Sequence, residues 1–146
     1  MKRTIIFTAL LLALSTTYSF ARPTGDINWE IKTSFRHDFQ NAQLMNTEIR
    51  DNFAKLTFKM NEVIMTAFYS EKGELMAVTR NIVSNQLPLG LLLNLKKHYS
   101  TTWITDLFEF SDDSQTCYYV TVENADSKMT LRSNGDSWEV YTNTKK

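Results

Sequence analysis

The sequence predicts an α+β protein: an antiparallel sheet with helices on one face, built as two similar helix-plus-strands units. Three observations lead there. Apolar and polar residues alternate along several short runs, the pattern of half-buried strands. Two other stretches repeat apolar residues at helical spacing. The order of helix followed by strands occurs twice, since Phe39 precedes Gly73 by about 35 residues and Tyr99 precedes Gly135 by nearly the same. The repeating unit is about sixty residues long. Its limits fall near 30–84 and 85–146, although few residues match between the two copies.

The chain of 146 residues opens MKRTIIFTALLLALSTTYSFA. Lys2 and Arg3 precede an apolar run, Ile5 to Leu14, and Ser19 and Ala21 put small residues where a signal peptidase reads. This is the layout of a secretory signal, residues 1–21, cleaved after Ala21. The apolar run of about ten residues is half the roughly 20 that a membrane span needs. The expected mature chain, 22–146, is one domain, large enough to bury a core without staples.

RPTGDINW, from Arg22 to Trp29, reads as a flexible terminus. Phe35, Phe39 and Ala42 then share one helical face, which predicts a first helix over 34–43 capped by Thr33 or Ser34. Gln43 to Asp51 is weakly patterned, an edge strand or a loop. In NFAKLTFKM, Ala54, Leu56, Phe58 and Met60 alternate with Lys55, Thr57 and Lys59, a strand with one wet face. Asn61-Glu62 turns the chain into a strand over Val63–Ser70, and Gly73 turns it again into one over Glu74–Val83. SNQLPLGLLLNLKKHYS is the clearest helix, with Pro88 in its first turn and Lys96, Lys97 and His98 in its last, where positive charge suits the helix dipole. Four further strands are predicted over Thr102–Phe110, Gln115–Asn124, Lys128–Asn134 and Ser137–Thr142.

Composition excludes several functions. The formal net charge is zero, and loss of Lys2 and Arg3 leaves a small acidic excess. Nothing there holds a phosphate backbone, so nucleic acid is not an expected partner. No polybasic or strongly amphipathic stretch addresses a membrane surface, and no membrane insertion is expected after signal removal. His37 and His98 lack neighbours at metal-ligand spacing. Phosphate-loop and nucleophile-elbow patterns are missing, and no carboxylate pair stands out, so no catalytic residue, metal or cofactor is expected. The Asp112-Asp113 run lacks the oxygen spacing of a calcium loop. Cys117, the single cysteine, cannot close an internal bridge and reads as a buried thiol, with pairing to another chain as the alternative.

Aromatic residues remain. Tyr69, Trp103, Tyr118, Tyr119, Trp138 and Tyr141 all fall on predicted strands. In QTCYYVTV, Tyr118, Val120 and Val122 point one way and Cys117, Tyr119 and Thr121 the other. One face packs on the helices, and the other offers tyrosines to a partner or simply stacks them for stability. Arg80, ending a strand, pairs with Glu74 or Glu109 or else anchors a bound carboxylate.

Several of these stretches together resemble the beta-lactamase-inhibitor-like, PepSY-like family of exported bacterial proteins. The resemblance rests on Phe35, Phe39 and Ala42; on Ala67-Phe68-Tyr69 before Gly73-Glu74-Leu75; and on Thr79-Arg80, Leu87-Pro88, Lys96-Lys97 with Tyr99, Ile104, and Tyr118-Tyr119-Val120. It spans nearly all of 22–146. One departure is Gln43-Leu44-Met45-Asn46, where the family usually carries a tryptophan after an Asn-Val pair. The resemblance implies repeated helix-plus-sheet units in the periplasm or outside the cell, without catalytic residues. The combined expectation is a non-enzymatic module that binds another periplasmic or secreted protein through Tyr69, Tyr119, Tyr141 and Arg80. The alternative is a carrier holding a small ligand between sheet and helices.

Overall fold

The computed structural model describes residues 27–145; the expected signal segment and its cleavage site lie outside them. Helix α1 (Trp29–Asp38) is followed by β1 (Gln43–Arg50), β2 (Phe53–Met60), β3 (Val63–Ser70) and β4 (Leu75–Asn81). A 3-10 turn over Ser84–Gln86 leads to α2 (Leu89–His98), and β5 (Trp103–Ser111), β6 (Thr116–Glu123), β7 (Ser127–Asn134) and β8 (Ser137–Lys145) complete the chain. All eight strands form one antiparallel sheet in sequence order. The two halves therefore repeat one plan, a helix and then four strands.

The first helix lies five residues earlier than its expected span. Asn28 caps it, its side-chain oxygen accepting the Ile31 N–H at 2.9 Å, and Ile31 and Phe35 are its buried pair. Thr33 and Ser34 sit inside the helix. Phe39 and Ala42 do pack on the same core, but from the cap and the turn beyond it. Asn28 also donates to the Glu71 carbonyl at 2.7 Å, so the described end of the expected flexible terminus is tied down. Gln43–Arg50 is a strand, and β8 runs three residues past its expected end.

Both helices cover one face. α1 lies on Ala54, Leu56, Phe58, Ala67 and Tyr69, with the Phe35, Phe39 and Phe58 rings packed 4.5–5.7 Å apart. α2 lies on Leu107, Val120, Val122, Leu131 and Trp138. Strand register carries that face across the sheet through Phe58, Met65, Arg80, Glu109 and Tyr118. The halves join at a short seam, Val78–Asn81 against Phe108–Ser111, extended by the Ile82 N–H bonding the Leu107 carbonyl at 3.0 Å.

A β-bulge marks the first and last strand of each half. Met45 is the extra residue in β1, Met76 in β4, Thr105 in β5 and Tyr141 in β8. Each bulge strengthens local twist. Asn61 and Glu62 both take positive φ, as the two-residue turn between β2 and β3 requires.

Candidate functional site

Alternation along each strand puts Phe53 and Phe68, then Ala77, then Phe108 and Phe110, then Cys117 and Tyr119 on the face opposite the helices. These residues form a buried cluster crossing from β2 to β6. Phe108 stacks on Tyr119 with centroids 5.2 Å apart, Phe110 meets Tyr119 edge-on at 6.3 Å, and Phe53 lies 6.0 Å from Phe68. Such ring pairs add about 0.5–1.5 kcal/mol each beyond the area they bury. Two threonine pairs flank them, Thr57 with Thr66 at 3.4 Å and Thr121 with Thr130 at 3.1 Å. The same face exposes Ile64 (53%), Trp103 (52%) and Tyr141 (37%).

The four residues singled out from sequence do not share a surface. Tyr119 and Tyr141 meet on the open face, their rings edge-on at 5.6 Å. Tyr119 is nevertheless 4% exposed, so Tyr141 is the member a partner can touch. Tyr69 lies on the opposite face, 0% exposed beneath α1, where its hydroxyl donates to Asp38 Oδ2 at 2.9 Å. Burial, and then that carboxylate, push its pKa well above the ordinary tyrosine range. Tyr69 thus pins α1 to the sheet.

Arg80 is on the helix side too. Its Nε and Nη2 fork onto Glu109 Oε1 and Oε2 at 3.2 and 3.0 Å, across the seam between the halves. That pair, with the charge of Glu109, raises the Arg80 pKa, and burial followed by Glu109 raises that of Tyr118 beside them. Of the two partners weighed for Arg80, Glu109 is the one it takes.

Sequence reasoning missed the phenylalanine bed, because Phe68 and Phe110 could be assigned to either face by alternation alone. It also missed Arg132. That residue pairs across strands with Tyr119 and donates to Gln115 Oε1 at 3.3 Å. Among the described residues no group of three His, Cys, Asp or Glu side chains could hold a metal ion. None of the described helices is long and apolar enough to cross a membrane.

Comparison with solved structures shows what this architecture is. A BLIP-like protein from Bacteroides fragilis superposes with a TM-score of 0.70 at 14% identity, over 83% of this chain and 87% of that one. The fold is that of the BLIP-like, beta-lactamase-inhibitor-like proteins. A DUF2874 family protein from Bacteroides uniformis shares this BLIP-like architecture at TM-score 0.71 and 10% identity, over 81% of this chain and 88% of its own. A protein from Bacteroides eggerthii, described as a candidate periplasmic protein, matches at TM-score 0.73 and 10% identity, over 83% and 90%. No family model and no curated protein matches the sequence.

Proposed function

We propose that this is an exported, non-enzymatic module that holds another periplasmic or secreted protein against the open face of its sheet. The observation that carries the reading is the aromatic bed on the face neither helix covers, with exposed Ile64, Trp103 and Tyr141 at its margin. A packed bed under exposed aromatic and aliphatic groups has the composition of a binding hot spot, because rigid rings lose little entropy on contact. The leader-like segment at 1–21 supports export. So do the likeness to a BLIP-like protein and the periplasmic description of the Bacteroides eggerthii neighbour. An inhibitor of a hydrolase is the specific form of this reading, and a slowed hydrolase in the presence of excess protein is its readout.

The carrier reading gains no observation of its own. The space between sheet and helices is filled by Phe35, Leu91 and Leu95 against buried strand residues. The crevice the structure does show lies elsewhere, at the strand ends.

Affinity capture tests the proposal. The chain from Arg22 to Lys146 is immobilised, envelope extract is passed over it, and the dominant retained protein is identified. Ile64→Ser with Tyr141→Ser is expected to weaken that protein's binding at least tenfold, the loss of roughly one hot-spot contact. Tyr69→Phe, altered beneath α1, is expected to leave binding unchanged. Capture that survives the double substitution would move the site off this face.

A further inference from the structure

Within the sheet-face reading, and resting on it, the charges of the open face name what that face receives. Among the described residues Glu48, Asp106, Glu123 and Glu139 are the strand carboxylates on that side. All but one have a cation beside them. Lys55 Nζ lies 3.2 Å from Glu48, Lys128 Nζ lies 3.3 Å from Glu123, and Arg132 stands opposite Glu139 in the strand register. Asp106 is in none of the ion pairs of the described residues.

Asp106 reaches this face through a bulge. Trp103 and Asp106 are separated by two residues, a spacing that regular alternation would send to opposite faces. The extra residue Thr105 returns Asp106 to the side of Trp103, opposite Thr121, and Phe108 follows on the same face. Along β5 the carboxylate thus falls between the exposed Trp103 and Phe108, whose ring stacks on Tyr119.

Its burial is poorly offset. Burial raises its pKa, against the Leu107 amide and the charge of Lys128, and Lys128 is already engaged by Glu123. The adjacent hydroxyls are turned elsewhere: Thr121 shares a hydrogen bond with Thr130 at 3.1 Å, and Thr105 donates to the Thr121 carbonyl at 3.5 Å. A half-buried charge without an opposite charge is a liability to the free protein. A cation brought by a partner removes that liability and makes a charge-assisted bond where water is excluded. The indole beside it suits a cation as well. No group of three His, Cys, Asp or Glu side chains gathers there among the described residues, so the cation is not a metal ion. We propose that Asp106 receives a lysine or arginine side chain of the protein held on the open face, with Trp103 flanking that cation.

The test is an NMR titration of the ¹³C,¹⁵N-labelled chain from Arg22 to Lys146 at neutral pH and constant ionic strength. The probes are benzamidinium, which carries an arginine-like fork, butylammonium, which resembles the end of lysine, and benzamide, the neutral counterpart of the first. The Asp106 carboxyl and Trp103 indole signals are expected to shift saturably with the cations and not with benzamide. The tighter cation tells which side chain the site takes. Asp106→Asn keeps the shape and is expected to weaken cation binding at least tenfold. Because that change relieves a half-buried charge, the variant is expected to fold. Equal shifts with benzamidinium and benzamide, or no saturable shift with either cation up to about 50 mM, overturn the proposal. The protein retained in affinity capture separates this inference from the reading beneath it. Asp106→Asn is expected to weaken its binding at least tenfold. Binding lost on Ile64→Ser with Tyr141→Ser, yet unchanged by Asp106→Asn, overturns the cation contact and leaves the face in place. Binding unchanged by the double substitution removes both.

Discussion

The two halves share an order of elements but fasten their helices differently. In the first, three phenylalanine rings interlock and the Tyr69 hydroxyl reaches Asp38, the last residue of α1. In the second, leucines pack on Val120, Val122 and Leu131, and the Trp138 indole N–H donates to the Leu91 carbonyl at 3.0 Å, near the start of α2. Gly73, in the β3–β4 turn, meets the backbone of Glu30, while Gly135 in the equivalent turn meets nothing within 4 Å. The plan thus asks each half for an apolar helix stripe and one aromatic donor from the second hairpin. It does not ask for the same residues. That freedom explains why the repeat is plain in element order and faint in sequence.

Substitutions can sharpen this contrast. The largest effect is expected from Phe58→Ala, which empties the ring cluster under α1 and should cost about 3–5 kcal/mol by urea unfolding. A loss under about 1 kcal/mol would mean that the aromatic fastening is not what holds the first half. Next comes the glycine pair. Gly73 has φ +78° and a new Cβ would lie 2.9 Å from the Glu30 backbone, so Gly73→Ala should cost about 3 kcal/mol through strain and overpacking together. Gly135 has φ +57° in open space, and Gly135→Ala should cost only about 1 kcal/mol. Equal losses would erase the distinction between the turns. Tyr69→Phe then removes a single hydrogen bond to a carboxylate, worth about 1.5–3 kcal/mol at most because Asp38 is part-exposed and can rehydrate.

The smallest effects separate two acids of the second half by their pH dependence. Burial opposes the Asp112 charge, but bonds from the Ser114 hydroxyl and the Ser114 and Gln115 amides, with Arg132 nearby, outweigh it and lower its pKa. Its contribution is therefore present above the unfolded value and is lost as pH falls through the folded one. Asp106 is the reverse case. Burial raises its pKa against the Leu107 amide and Lys128. Its carboxylate weighs on the fold above the raised value and is relieved as pH falls below the unfolded one. Asp106→Asn should stabilise the protein near neutral pH and do little in acid. Asp112→Asn should destabilise it near neutral pH, with the difference shrinking as pH falls. Unfolding curves across that range check both, and parallel pH profiles for the two variants would contradict them.

The fold was largely legible in the sequence where one physical cause acts alone. Lys55, Thr57 and Lys59 between apolar neighbours fix a strand whatever lies around it, and the leucine stripe of 91–95 does the same for α2. The first helix was misplaced because Phe39 and Ala42 face the core without being helical, so helical spacing and core contact came apart. Tyr69 and Tyr119 show the deeper difficulty. Both sit on apolar strands with rings at alternate positions, and only the packing of distant helices decides which side is covered. Arg132 gave still less, since its neighbours Tyr119 and Gln115 meet it only through the strand register.

The bulges at Met45 and Tyr141 fall on the two edge strands of an open sheet. An incoming strand seeking to extend the ladder finds only Asn46–Arg50 unbroken on one side and Thr142–Lys145 beyond the bulge on the other. Edges interrupted in this way are poor templates for fibril growth. A sheet with two open ends can thereby remain a discrete molecule at high local concentration.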